Sequence, residues 1–177
     1  QKSATQNSHL HLVSLFSAEE GIVLAQQPVE DKSNEITAIA NVLNQIDIQG
    51  SIITSDAMGC QKNVAKIICD GKADYMLALK GNQESLADEV ENYFNQADAI
   101  NFEGVDCEAI GAKESGHGRV EKREVYVTED IGWLPQKEEW AYLKSIIMVK
   151  SERLITGQAP THEKRYYISS LPANSLK

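Results

Sequence analysis

Residues 51–61 have the sequence Ser51-Ile52-Ile53-Thr54-Ser55-Asp56-Ala57-Met58-Gly59-Cys60-Gln61. A short apolar run ends in an acidic residue, and a helical pattern follows within a few positions. This arrangement is typical of a buried strand that leads into a helix, as in α/β proteins. Open α/β sheets present ligand-binding and catalytic groups at the carboxyl ends of their strands. Asp56 is therefore the first candidate functional residue.

Two interpretations of Asp56 follow from its position. Hard divalent cations such as Mg²⁺ prefer oxygen ligands, so a carboxylate at a strand end suits a metal site. Aspartate is also a preferred N-cap, and a helix begins shortly afterwards. A Rossmann-type phosphate loop fits less well, because Asp56-Ala57-Met58-Gly59 has one glycine where that fingerprint needs three. The sequence alone leaves ligand and cap open.

The first half of the chain alternates between strand and helix patterns. Residues 9–16 and 22–27 predict an antiparallel hairpin around a five-residue loop. Later strands are predicted at 51–55 and 74–79, with helices near 35–46, 61–70 and 84–96. Helical crossovers between neighbouring strands imply parallel pairing.

From about Ala97 the pattern changes. Residues 101–116 are polar and show no helical period, whereas 120–128, 140–151 and 165–171 are β-rich. The sequence therefore predicts an α/β core at 1–96, a β-rich insertion at 97–171 and a short tail at 172–177.

Composition narrows the classes of protein. A length of 177 residues suits one domain, or one domain with an insertion. No apolar run reaches the roughly 20 residues of a membrane helix, and 1–6 have no signal-peptide core. An odd set of three cysteines without metal-type spacing fits reduced thiols, so a cytoplasmic location is expected. The net charge of −9 argues against broad nucleic-acid binding but permits a local basic patch.

Two polar stretches are candidates for phosphate contacts. In Lys80-Gly81-Asn82-Gln83, Lys80 could hold a phosphate and Asn82 or Gln83 could bond one, or the stretch is an ordinary glycine turn. Strand alternation places His117, Arg119, Glu121 and Arg123 on one face. That face could position phosphates, or it could be a solvated surface with ion pairs between strands.

His9 and His11 also share a strand face. Their spacing can bind a metal, but no third ligand is evident nearby, so a surface location explains them equally well.

Six motifs occur in an order that resembles one known family. They are His11-Leu12-Val13-Ser14, residues 31–39, Asp56-Ala57-Met58-Gly59-Cys60-Gln61, Leu77-Ala78-Leu79-Lys80-Gly81-Asn82-Gln83, His117-Gly118-Arg119 with Arg123, and residues 165–171. Together they resemble the H-repeat-associated proteins and related insertion-sequence transposases of bacteria. The resemblance covers nearly the whole chain.

The resemblance implies an RNase H-like fold, a mixed sheet with flanking helices, with three catalytic acids that bind two Mg²⁺ or Mn²⁺ ions for attack on a DNA phosphodiester. Asp56 matches the second acid and would be both catalytic and a metal ligand. The first acid belongs to an Asp-Gly-Lys motif whose place falls before Gln1. Asp70-Gly71-Lys72 has the same letters but follows Asp56. The third acid belongs to a helix whose place falls after Lys177.

These matches predict a fragment of a DDE-type transposase that is inactive alone, with weak or no metal affinity. DNA is the expected partner, Lys80, Asn82, His117, Arg119 and Arg123 are its expected contacts, and a homodimer is one expected assembly. The alternative is a non-catalytic remnant of a transposable element that acts as a binding or assembly module. A nucleotide-binding α/β protein is a third hypothesis, and it predicts nucleotide affinity near Asp56 and Lys80.

Overall fold

A computed structural model describes residues 11–29, 34–116 and 119–176. Its strands are β1 (His11–Ser17), β2 (Ile22–Val29), β3 (Ile52–Ser55), β4 (Asp74–Leu79), β5 (Glu108–Gly116), β6 (Arg119–Thr128), β7 (Ser145–Ile155) and β8 (Thr161–Ser169). Its α-helices are α1 (Glu35–Leu43), α2 (Lys62–Asp70) and α3 (Glu84–Ala99). Short 3-10 turns include Ala57–Gly59 and Gly81–Gln83.

The described strands form two sheets. Strands β1 and β2 make the predicted antiparallel hairpin. The other six form one sheet in the order β3-β4-β8-β7-β6-β5, in which β3 and β4 are parallel and the remaining pairs are antiparallel. The predicted mixed α/β sheet with flanking helices is therefore confirmed.

The core lies between the six-stranded sheet and the helices on one of its faces. Alternate residues of β4 are buried, as the period of two in a strand requires. On the helix side the core contains Tyr75, Leu77 and Leu79 of β4, Val64 and Ile68 of α2, and Val90 and Phe94 of α3. The intervening β4 residues Met76 and Ala78 are only partly buried and belong to the opposite face.

An ion-pair cluster joins α3 to the antiparallel part of the sheet. Asp98 accepts from Lys150 Nζ of β7 at 2.8 Å and lies 2.8 Å from Lys164 Nζ of β8. Hydrogen bonds from these two lysines lower the pKa of the Asp98 carboxyl. The cluster fixes the C-terminal half of α3 over two strands.

The second half of the chain differs from its predicted pattern most clearly in β5 and β7. Residues 108–116 were not among the predicted strands, yet they pair with β6 along nine positions. Strand β7 begins at Ser145, five residues after the predicted start, because buried Trp140 lies in a turn and Tyr142 has a positive φ of 52°. Since β8 pairs with β4, the sheet continues across residue 97. The division at that residue stays a prediction.

Candidate functional site

Asp56 lies immediately after β3, at the predicted carboxyl end of a strand. It is solvent-exposed, and its Oδ1 accepts a hydrogen bond from the Met58 backbone N–H at 3.0 Å. The side chain thus caps the 3-10 turn Ala57–Gly59. This bond engages one carboxylate oxygen, so capping leaves the other oxygen available as a ligand.

The turn after Asp56 is packed tightly against β3. A Cβ atom placed on Gly59 would lie 2.0 Å from Ser55 Oγ and 2.7 Å from Ser55 Cβ. Only glycine therefore fits at this position without displacing β3. Cys60 follows and is fully buried, and this burial raises the pKa of its thiol to about 12. A thiol of this kind stays protonated and is a poor nucleophile or metal ligand.

The Lys80–Gln83 stretch lies beside the Asp56 turn because β3 and β4 are neighbours. Asn82 Nδ2 donates to the carbonyl oxygens of Ala57 and Cys60. Gln83 Nε2 donates to the Cys60 carbonyl at 3.0 Å. These amides bind the two strand ends together, whereas Lys80 is exposed. The structure thus brings together Asp56, Lys80 and Asn82, and it shows that the Asn82 amide nitrogen is already bonded within the protein.

Two grooves open beside Asp56. The first, of about 260 Å³, lies between β1 and β3 and is lined by Leu12–Leu15, Ile53–Asp56 and residues of α1. The second, of about 1110 Å³, runs along β4 and β8 and includes Asp56, Lys80, Arg165 and Tyr167, and it is also lined by Asp88 and Glu91 of α3. Asp56 therefore stands where the two grooves meet.

The predicted basic face is present on β6, away from Asp56. Arg119 and Arg123 both pair with Glu121, which lies between them. Hydrogen bonding from Arg123, with the charges of Arg119 and Arg153, lowers the pKa of Glu121. His117 and His9 lie outside the described residues. His11 is exposed on β1.

The donor set does not fit a divalent cation by itself. Throughout the described ranges 11–29, 34–116 and 119–176, no cluster of three or more His, Cys, Asp or Glu side chains could hold a metal. Mg²⁺ is usually held by more than one carboxylate together with waters or substrate oxygens. Asp56 can supply one such ligand and no more. None of the helices in those ranges has the length and apolar character needed to cross a membrane.

Arg165 and Tyr167 are among the residues of the second groove that were not singled out from the sequence. A local signal existed, because Glu163, Arg165 and Tyr167 alternate along a β-rich run and so share one face. What the sequence did not show was that β8 pairs with β4, which brings that face next to Asp56.

Comparison with known proteins gives consistent matches. The family described as "Transposase DDE domain" matches residues 2–170. The chain is 43% identical over 165 residues to "Uncharacterized protein in dhlA 3'region" of Xanthobacter autotrophicus, covering 93% of this chain and 54% of that protein. It is 38% identical over 173 residues to "H repeat-associated putative transposase YhhI" of Escherichia coli (strain K12), covering 95% of this chain and 45% of that protein.

A further relative is "Putative transposase YncI" of Escherichia coli O157:H7, which is 41% identical over 165 residues, with 91% of this chain and 41% of that protein covered. The chain thus spans about half the length of the curated relatives it matches. No solved structure matches it.

Proposed function

This chain belongs to the DDE transposase family, and on that premise we propose that it is part of a catalytic region that cleaves and joins DNA phosphodiesters in the intact protein. One observation carries the proposal. Asp56 lies at the end of β3, at the meeting point of two open grooves, with the exposed cation of Lys80 at the end of the neighbouring strand. Other acids brought in along those grooves would meet Asp56.

The groove between β1 and β3 has the right form for one such element. In the described part of the chain, β3 pairs only with β4, and β1 pairs only with β2, so each strand turns an unpaired edge toward the groove. Unpaired strand edges are templates for a further strand. A strand inserted there would join the two sheets into one. The resemblance assigns the first acid to a strand that precedes β1, and we propose that this strand occupies the groove.

The 177-residue chain alone is proposed to be inactive. A two-metal site balances the charge of its ions with several carboxylates, and Asp56 is one carboxylate. Divalent metal in the intact protein would therefore depend on acids outside the described residues.

A direct comparison of two proteins tests this function. A longer protein that carries an in-frame Asp-Gly-Lys segment upstream and the acidic helix downstream should nick supercoiled DNA in Mg²⁺ or Mn²⁺. Asp56→Ala should abolish that nicking, and the 177-residue chain should show none. Metal-dependent nicking by the 177-residue chain that disappears in Asp56→Ala would contradict the proposed inactivity.

The alternative function is a non-catalytic remnant of a transposable element that binds or assembles. The lack, within the described ranges, of any cluster of three or more side chains that could hold a metal favours it. The surrounding reading frame decides between the two. In-frame acidic motifs on both sides support the enzyme, and stop codons or frameshifts support the remnant.

We propose that Lys80, Asn82, His117, Arg119 and Arg123 contact DNA in this protein. Exposed Lys80 lies near Asp56, and exposed Arg119 and Arg123 lie on β6. A cation that contacts phosphate contributes to binding of every sequence and to its salt dependence. Unchanged DNA binding in the double variant Arg119→Ala, Arg123→Ala would contradict the assignment.

We propose that the protein is located in the cytoplasm. Cys60, Cys69 and Cys107 are all free thiols, which agrees with a reducing cytoplasm. A homodimer is the assembly we propose, and sedimentation of the purified chain would test it.

A further inference from the structure

All four arginines of this chain lie on one face of one sheet. The chain has 17 lysine and arginine residues, and its only arginines are Arg119, Arg123, Arg153 and Arg165. All four line a single groove of about 550 Å³ on the face of β6, β7 and β8 that is opposite α3. None of the lysines in the described ranges lines this groove.

The pairing of the strands sets these arginines at regular steps. Arg153 of β7 lies opposite Glu121, midway between Arg119 and Arg123 of β6. Arg165 of β8 lies opposite Val149 of β7, and Val149 lies opposite Val125 of β6. Arg165 is therefore level with Val125, two residues beyond Arg123. Each step of two residues advances about 7 Å along the strands. The four guanidinium groups thus form a zigzag row of about 20 Å, with one at each level.

This arginine row leads to Asp56. Glu163, Arg165 and Tyr167 line both the arginine groove and the larger groove that contains Asp56 and Lys80. A hydrogen bond from Arg165 lowers the pKa of Glu163, and the charge of Lys80 adds to this effect, so Glu163 lies between the two regions. A chain of phosphates lying in the arginine groove would therefore continue toward the candidate catalytic carboxylate.

The face also carries acids, and their contacts leave donors available. Glu121 forms ion pairs with Arg119 and Arg123. Glu163 forms an ion pair with Arg165 at 2.8 Å, and Glu114 of β5 lies opposite Glu121. Within the described ranges, Arg153 forms no ion pair with a carboxylate within 4.0 Å. A guanidinium has five N–H donors, so one carboxylate contact leaves most of them free.

Residues between the arginines support the same ligand. Ser151, Thr161 and Tyr167 line the groove and present hydroxyl groups. Phosphate oxygens are bound by arginine together with serine, threonine and tyrosine hydroxyls. The planar fork of arginine matches phosphate geometry better than the point charge of lysine does. An acidic chain that collects every arginine on one open face has a surface suited to a polyanion.

We propose that Arg153 and Arg165 complete, with Arg119 and Arg123, a track that binds the phosphate backbone of duplex DNA and directs it to the Asp56 groove. The choice of DNA rests on the function proposed above. The track itself does not depend on cleavage. Arg153 and Arg165 are positioning residues, because they contact the backbone away from the reacting phosphodiester.

The test is equilibrium binding of a fluorescein-labelled 30-base-pair duplex, followed by anisotropy from low to high salt in EDTA. The double variant Arg153→Gln, Arg165→Gln should weaken binding of unrelated sequences alike. It should also reduce the slope of log K against log salt by about 2, roughly one unit per lost phosphate contact. The matched control is Lys113→Gln, Lys122→Gln, which also removes two cations. These two lysines are register partners on β5 and β6 and lie on the opposite face of the same sheet. The control should bind almost as the unchanged chain does.

A second double variant, Arg153→Lys, Arg165→Lys, keeps both positive charges and should keep the salt slope. A reduced slope in this variant would show that the substitutions act through the fold, and it would overturn the proposal. Three other outcomes would also overturn the proposal. The glutamine variant and its control could weaken binding equally, the chain could fail to bind the duplex at low salt, or it could bind duplex RNA of the same sequence more tightly. Because EDTA prevents metal-dependent cleavage, these outcomes are separate from the Asp56→Ala nicking test. A chain that never nicks DNA could still show the predicted binding loss.

Discussion

Asp56 combines a cap with a candidate ligand, and two substitutions separate these roles. Asparagine caps as well as aspartate does, whereas alanine cannot accept the Met58 N–H. We expect Asp56→Ala to lower the free energy of unfolding by about 1 kcal/mol and Asp56→Asn to leave it nearly unchanged. Both should abolish metal-dependent nicking in the longer protein. Urea unfolding and a nicking assay check the pair, and activity retained in Asp56→Asn would contradict the ligand role.

Gly59 holds the Asp56 turn against β3 through the absence of a side chain. In Gly59→Ala, the added Cβ would meet Ser55 at 2.0 to 2.7 Å, so the turn or the strand must shift. We expect a loss of about 1 to 3 kcal/mol in the free energy of unfolding, as for other overpacked sites. Gly81→Ala is the matched control, because a Cβ there meets no atom within 4 Å. Equal stability of the two variants by urea unfolding would contradict this packing.

At the scale of elements, Asp98 determines how firmly α3 is held on β7 and β8. Its folded pKa is lowered by Lys150 and Lys164, so its contribution is present at neutral pH and is lost as pH falls below about 3.8 toward the folded pKa. Asp98→Asn should cost about 1 to 2 kcal/mol at pH 7, since charge-assisted hydrogen bonds are lost. Urea unfolding of both proteins from pH 7 to pH 2 should show the difference shrinking at the acid end. A constant difference would contradict it.

Sequence patterns identified elements whose signals are local. The apolar runs before Asp56 and at Asp74–Leu79 predicted β3 and β4, and helix crossovers predicted their parallel pairing. Strand β5 had no such signal, because its polar residues form an edge strand only through pairing with β6. The arginine row was equally hidden. Alternation places Arg119 and Arg123 on one face, but their alignment with Arg153 and Arg165 depends on the register of three strands.

At the scale of the whole molecule, the described strands form one large sheet and one isolated hairpin. A two-stranded hairpin is marginal without further strands or packing, and this one exposes several large apolar side chains, namely Leu12, Phe16, Ile22, Val23 and Leu24. Its support comes from packing against α1 and from Val29, which is buried. In contrast, β7 lies between two hydrogen-bonded neighbours, and Ile146, Ile147 and Met148 are fully buried.

This difference predicts unequal local stability, because opening the hairpin exposes little buried surface whereas opening β7 disrupts the sheet. In native-state hydrogen exchange, amides of β1 and β2 should exchange at a much lower opening free energy than those of β7, whose exchange should follow global unfolding. If the groove between β1 and β3 receives a further strand in the longer protein, the amides of β1 and β3 that face it should become protected there, while those of β7 change little. Equal protection of β1 in both proteins would show that the groove stays open, and it would place the first acid elsewhere.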